Sequence, residues 1–466
     1  MQSKTKNTIG LILIIFLASS LFFFSGCFKD KSANYKVDLE IWGIFGDSSV
    51  AYADIIQKYK EINPLVGNIT YRKFTIDTYK EDLLNAMASG QGPDICLIHN
   101  AWLPLFKDKI TPSPERILGE REFRDNFVDT AGNDFLDEGR VYAVPLSVNS
   151  LALYYNKDLF NAEGIVSPPT TWGDFSADVK KLTKIDKFGN IVQSGAAMGT
   201  AYNINRSTDI LNLLMFQNGV PIVDENRMQV NFGESGENAL EFYTQFAKVS
   251  SDVYSWNNRM HYSIDAFYEG TAAMMLNYSW HYQTIKNKNS KLNFGVAPIP
   301  QISRENPVNY ANYWGFAVVK NKNQEEKPDK RRIKSLAVSD NIRVHEAWEF
   351  LKFLTVKNNG SFTITHAVSG KTKKVPVNLD PAKNYLEKSG EPAARRDLIE
   401  EQKNDPVLGP FAYGNLIAKS WYQPDSEAAE TILAEAIDSV NQGKSSVSQA
   451  LKNAAFRINQ FFRIKK

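Results

Sequence analysis

Three short stretches of the chain set aromatic rings beside hydrogen-bonding side chains: Trp42 to Asp47, Phe74 to Asp77 and His99 to Trp102. An aromatic face offers flat apolar surface, and an adjacent Asn, Asp or imidazole offers directed hydrogen bonds, a pairing suited to holding a small solute. The residue patterns of bond-breaking chemistry are missing. His99, His261, His281, His345 and His366 show no ligand spacing, and there is no G-x-S-x-G elbow, no H-E-x-x-H and no P-loop. The cysteines are Cys27 and Cys96, and Cys96 sits in the apolar run "DICLIH", where a lone thiol acts as a small buried hydrophobe. Among 52 acidic residues some pair could stand at hydrolytic separation, so glycoside chemistry stays open as the lesser reading. The expectation is a binding protein without cofactor or metal.

The elements that position these stretches alternate in type. "VDLEIWGIF" sets Val37, Leu39 and Ile41 against Asp38 and Glu40, the period of a strand. Asp47 or Ser48 can cap a helix carrying Ile55, Ile56 and Tyr59 on one face, and "NP" at 63 and 64 closes it. The strand "NITYRKFTI" leads to the helix "TYKEDLLNAMAS", stopped by Gly90, and then to the strand "PDICLIH". Strand, helix, strand, helix, strand implies a parallel sheet, whose ligands bind outside the carboxyl ends of the strands. The three aromatic stretches are those ends.

Further along, "GRVYAVPLSVNSLALYYNKDLF" reads as two extended segments with no helix between them, as where a chain crosses between lobes. Thr171 and Asp174 form a capping box that opens the next helix. The unit "SIDAFYEGTAAMMLNYSWHYQTI" reads helix, Gly270 turn, strand, helix, within a second α/β lobe. "NFGVAPIP" and "YWGFAVVK" are strands, the latter returning to the first lobe, and the remainder is largely helical. The mixed-charge run "NKNQEEKPDKRRIK" reads as a solvated loop.

At the N-terminus, Lys4 and Lys6 precede an apolar run from Ile9 to Phe24, followed by Ser25, Gly26 and Cys27. That is the layout of a secretory signal peptide; an uncleaved signal anchor is the alternative, though the run is marginal for one. "FSGC" resembles a bacterial lipobox, with Phe24 at a position most often Leu. The resemblance implies cleavage before Cys27 and its lipidation, so that the mature chain is extracytoplasmic and anchored to the cell membrane. Removing Lys4 and Lys6 brings the basic residues from 54 to 52, equal to the 52 acidic ones. A neutral chain lacks the basic stripe of a nucleic-acid binder.

The segments "NPLVGNITYRKFTIDTYKEDLLNAMASGQGPDI", "LALYYNKDLFNAEGIVSPPTTWGDF", "FYEGTAAMMLNYSW" with "NFGVAPIP", and "YWGFAVVK" resemble, in order and spacing, the extracellular solute-binding proteins of bacterial ABC importers, of the sugar-binding type related to maltose-binding protein. The C-terminal "QGKSSVSQALKNAAFRINQF" is similar as well. The resemblance implies an α/β, two-lobe periplasmic-binding-protein-like fold, each lobe a mainly parallel sheet flanked by helices, with a ligand cleft between. It implies a monomer whose partners are a solute, ABC permease subunits and the membrane. The expected parts are a signal peptide (1–26), a tether (27–36), a first lobe (37–145 and about 308–360) and a second lobe (about 146–307 and 361–466).

A neutral sugar presents C–H patches and hydroxyls, so its site needs aromatic faces plus fixed donors and acceptors. In the first lobe the candidates are Trp42, Phe45, Asp47, Asn100 and Trp102; Asp47 could equally be the helix cap. From the crossing and second lobe come Asn149, Tyr202, Asn277, Tyr278 and Trp280, and "YANYWGF" adds Tyr313 and Trp314. Trp172 and Trp348 have core periodicity, whereas Trp256 and Trp421 sit in less regular contexts. A charged solute such as a polyamine or phosphate ester is the alternative, with Arg206 the residue to receive an anion; a surface adhesin is more remote.

Overall fold

The structure is a computed structural model and describes residues 35–45, 48–224, 229–320 and 339–464. The signal sequence, Cys27 and Asp47 lie outside the described residues. Strand β1 (Val37–Gly43) buries Val37, Leu39 and Ile41, the side chains its alternation selects. It pairs in parallel with β2 (Val66–Lys73) and with β3 (Ile95–His99). In β3 both faces are covered, which is why "ICLI" is apolar without alternation. The helix Ile76–Ala88 joins β2 to β3, burying Tyr79 and Leu83, and Gly90 at φ 71° turns the chain out of it. The Tyr79 hydroxyl donates to a backbone carbonyl and accepts from Leu97 N–H at 3.0 Å, fastening the helix to the sheet.

The strand Trp314–Val319 returns to this sheet as expected, antiparallel to β3 and to β4 (Ile110–Thr111), giving the order β2, β1, β3, Trp314–Val319, β4. The second lobe holds three strands with Ala152–Asn156 in the centre, antiparallel to both Met274–Asn277 and Phe294–Ala297. The two outer strands run parallel to each other and are joined by the helix His281–Lys288. The expectation of a mainly parallel sheet holds for the first lobe, where only Trp314–Val319 is reversed, and is corrected for the second, where both pairings are antiparallel. Strand, helix, strand alternation sets the relative sense of consecutive strands, but not that of a strand inserted between them by a crossing from the other lobe.

Buried apolar side chains form two clusters. One runs from Tyr35 to Val148 and resumes at Ala311; the other starts at Leu151, reaches Tyr310, and takes Phe411, Trp421 and the C-terminal helices Ser426–Asn441 and Val447–Ile464. The chain therefore passes between them near 148–151 and 310–311. Residues 361–399, expected in the second lobe, pack with the first cluster through Phe362, Ile364, Val375, Leu386 and Leu398. The cause is the hairpin of Ser361–Thr365 with Thr372–Pro376, which lies along the helix Asp340–Thr355: His345 Nε2 and Glu349 bond the Thr365 backbone. Amphipathic periodicity says that an element has a buried face, not which core receives it. Among the described residues no helix is long and apolar enough to cross a membrane.

Candidate ligand cleft

A cavity of about 790 Å³ opens between the two clusters. All three aromatic stretches reach its wall: Phe45 after β1, Ile76 and Asp77 after β2, and His99 and Trp102 at the end of β3. Trp314, directly opposite His99 in the sheet, meets Trp102 edge-to-face at 4.9 Å and Phe45 at 6.2 Å. On the second lobe Trp280 stands 37% exposed, its ring stacked on Tyr278 at 4.5 Å and nearly parallel to it. Indole faces thus come to one space from both lobes, held by packing before any solute arrives.

Five of the expected residues line the cavity: Phe45, Trp102, Asn149, Trp280 and Trp314. Six others do not. Trp42 is buried at the sheet, its Nε1 donating to Glu40 at 2.8 Å and its ring under Arg72 and against Phe74. Asn100 and Tyr313 both turn to Asp134, at 3.0 and 2.7 Å, and Asn100 borders a neighbouring cavity. Asn277 is wholly buried and accepts from Tyr278 N–H. Tyr278 lies behind Trp280 and supports it, while Tyr202 is solvent-exposed away from the cavity. Strand ends mark the side of the sheet where a site lies; they do not say which of two adjacent side chains turns outward when both faces are covered.

The polar wall includes residues that were not among the candidates from sequence: Asp209, Asn212, Asn312, Glu391, Glu430, and Trp421, noted there only for its irregular context. A signal existed for two of them. In the largely buried helix Ser207–Gln217, Asp209 and Asn212 stand among apolar side chains, three apart and sharing a face. Glu391 and Glu430 come from elements with no local mark of a site.

Asp209 is the centre of the wall. Its Oδ2 accepts from Arg206 Nε at 2.8 Å, from the Tyr278 hydroxyl at 2.8 Å and from Asn312 Nδ2 at 3.2 Å. Asn312 Oδ1 then faces His99 Nε2 at 3.0 Å, and His99 Nδ1 faces Ala101 N–H at 3.3 Å. With Asn312 donating to Asp209, its oxygen must accept from His99 Nε2–H, and Nδ1 must accept from Ala101. Every partner is satisfied when the imidazole is neutral, and burial agrees, lowering the His99 pKa to about 4. Burial also lowers His281 to about 4. Arg206 sits at a left-handed φ of 60°, a conformation most side chains avoid. Burial opposes its charge, but Asp209 and Glu430 outweigh that and raise its pKa.

Asn149, in the crossing segment, donates to Glu391 at 2.9 Å and accepts from the Ser279 hydroxyl, which also reaches Glu391 at 3.5 Å. Burial raises the Glu391 pKa, partly countered by these two neutral donors. Lys80 on the helix Ile76–Ala88 pairs with Glu427 on the helix Ser426–Asn441 at 3.0 Å, joining the lobes directly across the cleft. Two buried polar atoms of the wall have no partner: Asn212 Oδ1 and Trp421 Nε1. No group of three or more His, Cys, Asp or Glu among the described residues could hold a metal ion.

Comparison with known proteins agrees with this fold. The family model described as "Bacterial extracellular solute-binding protein" matches residues 48–359. A protein of Brucella abortus named only as a binding protein is 23% identical over 87% of this chain and 88% of its own length. The maltodextrin-binding protein MdxE of Bacillus subtilis is 28% identical over 44% of this chain and 45% of that one. The structure of the sugar-binding protein MalE of Xanthomonas citri superposes with a TM-score of 0.68, at 17% identity, over 92% of this chain and 98% of its own.

Proposed function

Because this chain belongs to the bacterial extracellular solute-binding proteins, we propose that it traps a saccharide between its two lobes and delivers it to the permease of an ABC importer. The carrying observation is the convergence of Trp102, Trp280 and Trp314 on one cavity whose wall also holds fixed polar groups. Aromatic faces stack on the C–H side of a pyranose, and the Asn, Asp and Glu groups bind its hydroxyls. The names of MdxE and MalE support the same class of solute. Its relatives are binding proteins rather than enzymes, and the proposal assigns it no catalytic step. A solute that touches both walls favours the closed arrangement, because only there are all contacts made.

Binding is read by thermal shift against mono- and oligosaccharides, followed by titration of Trp fluorescence. Trp280→Ala and Trp314→Ala should each weaken a hit by at least about tenfold, since an aromatic contact buries large area and adds 0.5–1.5 kcal/mol beyond it. A hit that keeps full affinity in both variants removes this site assignment. We further propose that lipidated Cys27 keeps a monomeric chain beside its permease, a lipid chain confining an otherwise diffusing protein. Cys27→Ser should leave the detergent phase or remain unprocessed, and unchanged partitioning and mass would count against the anchor.

A further inference from the structure

Charge is distributed unevenly around the cleft. Its wall carries Asp77, Glu81, Asp209, Glu391, Glu427 and Glu430, whereas the cations are Lys80 and Arg206. Both cations are engaged: Lys80 with Glu427 at 3.0 Å, Arg206 with Asp209 at 2.8 Å and Glu430 at 3.6 Å. A phosphate or carboxylate entering the cleft would meet surplus negative charge and a guanidinium already bound. Glu391 is in the opposite position. It receives hydrogen bonds from Asn149 and Ser279, both neutral, and among the described residues no cation pairs with it. A carboxylate withdrawn from water and left without a counter-charge is costly, and an arriving cation relieves that cost.

The indole faces of Trp280 and Trp314 in the same cleft attract a cation as well as a sugar ring. Resting on the reading of this cleft as a saccharide site, we infer that its ligand is a sugar bearing a protonated amine, with Glu391 as the principal counter-charge and specificity-determining residue. The acetylated form of the same sugar has lost that charge and is discriminated against.

The test is calorimetric titration of the mature protein at about pH 6, where most of the sugar amines are protonated, with four probes: a glucosamine oligomer, its fully N-acetylated counterpart, maltotriose and spermidine. The expected result is that the glucosamine oligomer binds at least about tenfold tighter than the acetylated and neutral saccharides, because a charge-assisted hydrogen bond is about twice as strong as a neutral one. That advantage should shrink with added salt and disappear in Glu391→Gln, whose thermal unfolding is recorded to confirm folding. Glu430→Gln gives a second variant, expected to reduce the advantage less. The inference is overturned if the acetylated or neutral saccharide binds as tightly as the amine, or if folded Glu391→Gln keeps the full preference. Tight binding of neutral saccharides without an amine advantage leaves saccharide capture standing and removes only this inference. Binding of spermidine with no saccharide at all removes both.

Discussion

A carboxylate oxygen accepting three hydrogen bonds, as Asp209 Oδ2 does, holds Arg206, Tyr278 and Asn312 in fixed directions at once. Asp209→Ala would leave a guanidinium, a phenol and an amide without their acceptor. The expected loss is about 2–4 kcal/mol of stability in urea unfolding, and a change under 0.5 kcal/mol would mean the network is not structural. His99 yields a pH prediction. Its folded pKa of about 4 lies below the unfolded value near 6.5, so between those values the unfolded chain binds more protons and stability falls as pH drops. His281 acts in the same direction. Glu349, raised by burial to about 7, acts oppositely between about 4.5 and 7. The pH dependence of the difference between wild type and His99→Gln isolates the imidazole: the wild type should lose up to about 3 kcal/mol relative to the variant from pH 6.5 to pH 4. Parallel curves would show that His99 titrates normally. At this scale the sequence revealed the aromatic residues more readily than their orientation. Trp280 and Tyr278 are both candidates from one short stretch, yet one faces the cleft and the other supports it from behind.

Among the elements, β1, β2 and β3 were legible because hydrophobic period and helix stops act locally, and their carboxyl ends did mark one side of the cleft. The rest of the wall was less legible. Glu391 lies in a loop between segments packed on the first cluster, and Glu427 and Glu430 lie on a C-terminal helix of the second, all brought to the cleft by tertiary packing that no local pattern encodes. That helix makes a direct link to the first lobe through Lys80 and Glu427. The Glu427 side chain is 68% exposed, so the pair falls in the range of surface ion pairs. A double-mutant cycle with Lys80→Met and Glu427→Gln, read by maltotriose affinity, should give a coupling of about 0.2–1 kcal/mol that fades near 1 M salt. A coupling that persists there would indicate a contact other than the ion pair.

For the molecule as a whole, two separate apolar clusters with a polar cleft between them allow each lobe to stay packed while their separation changes. A rigid-body rotation disturbs few buried contacts, provided the bending is confined to the crossings near 148–151 and 310–311 and to the passage between the first cluster and Trp421. Asn149 and Asn312 lie in or next to two of these crossings and hydrogen-bond to one another through the Asn149 carbonyl at 2.9 Å. They also contact groups of both lobes: Asn149 holds Glu391 and Ser279, and Asn312 holds His99 and Asp209. Occupancy of the cleft and the angle at the crossings are therefore mechanically joined. Small-angle scattering should show a smaller radius of gyration with saturating saccharide than without it. Asn312→Ala, which cuts the link between His99 and Asp209, should weaken saccharide binding while leaving the helical circular dichroism unchanged. Identical scattering with and without a bound saccharide would mean that the lobes do not move, and that the solute enters a cleft already closed around it.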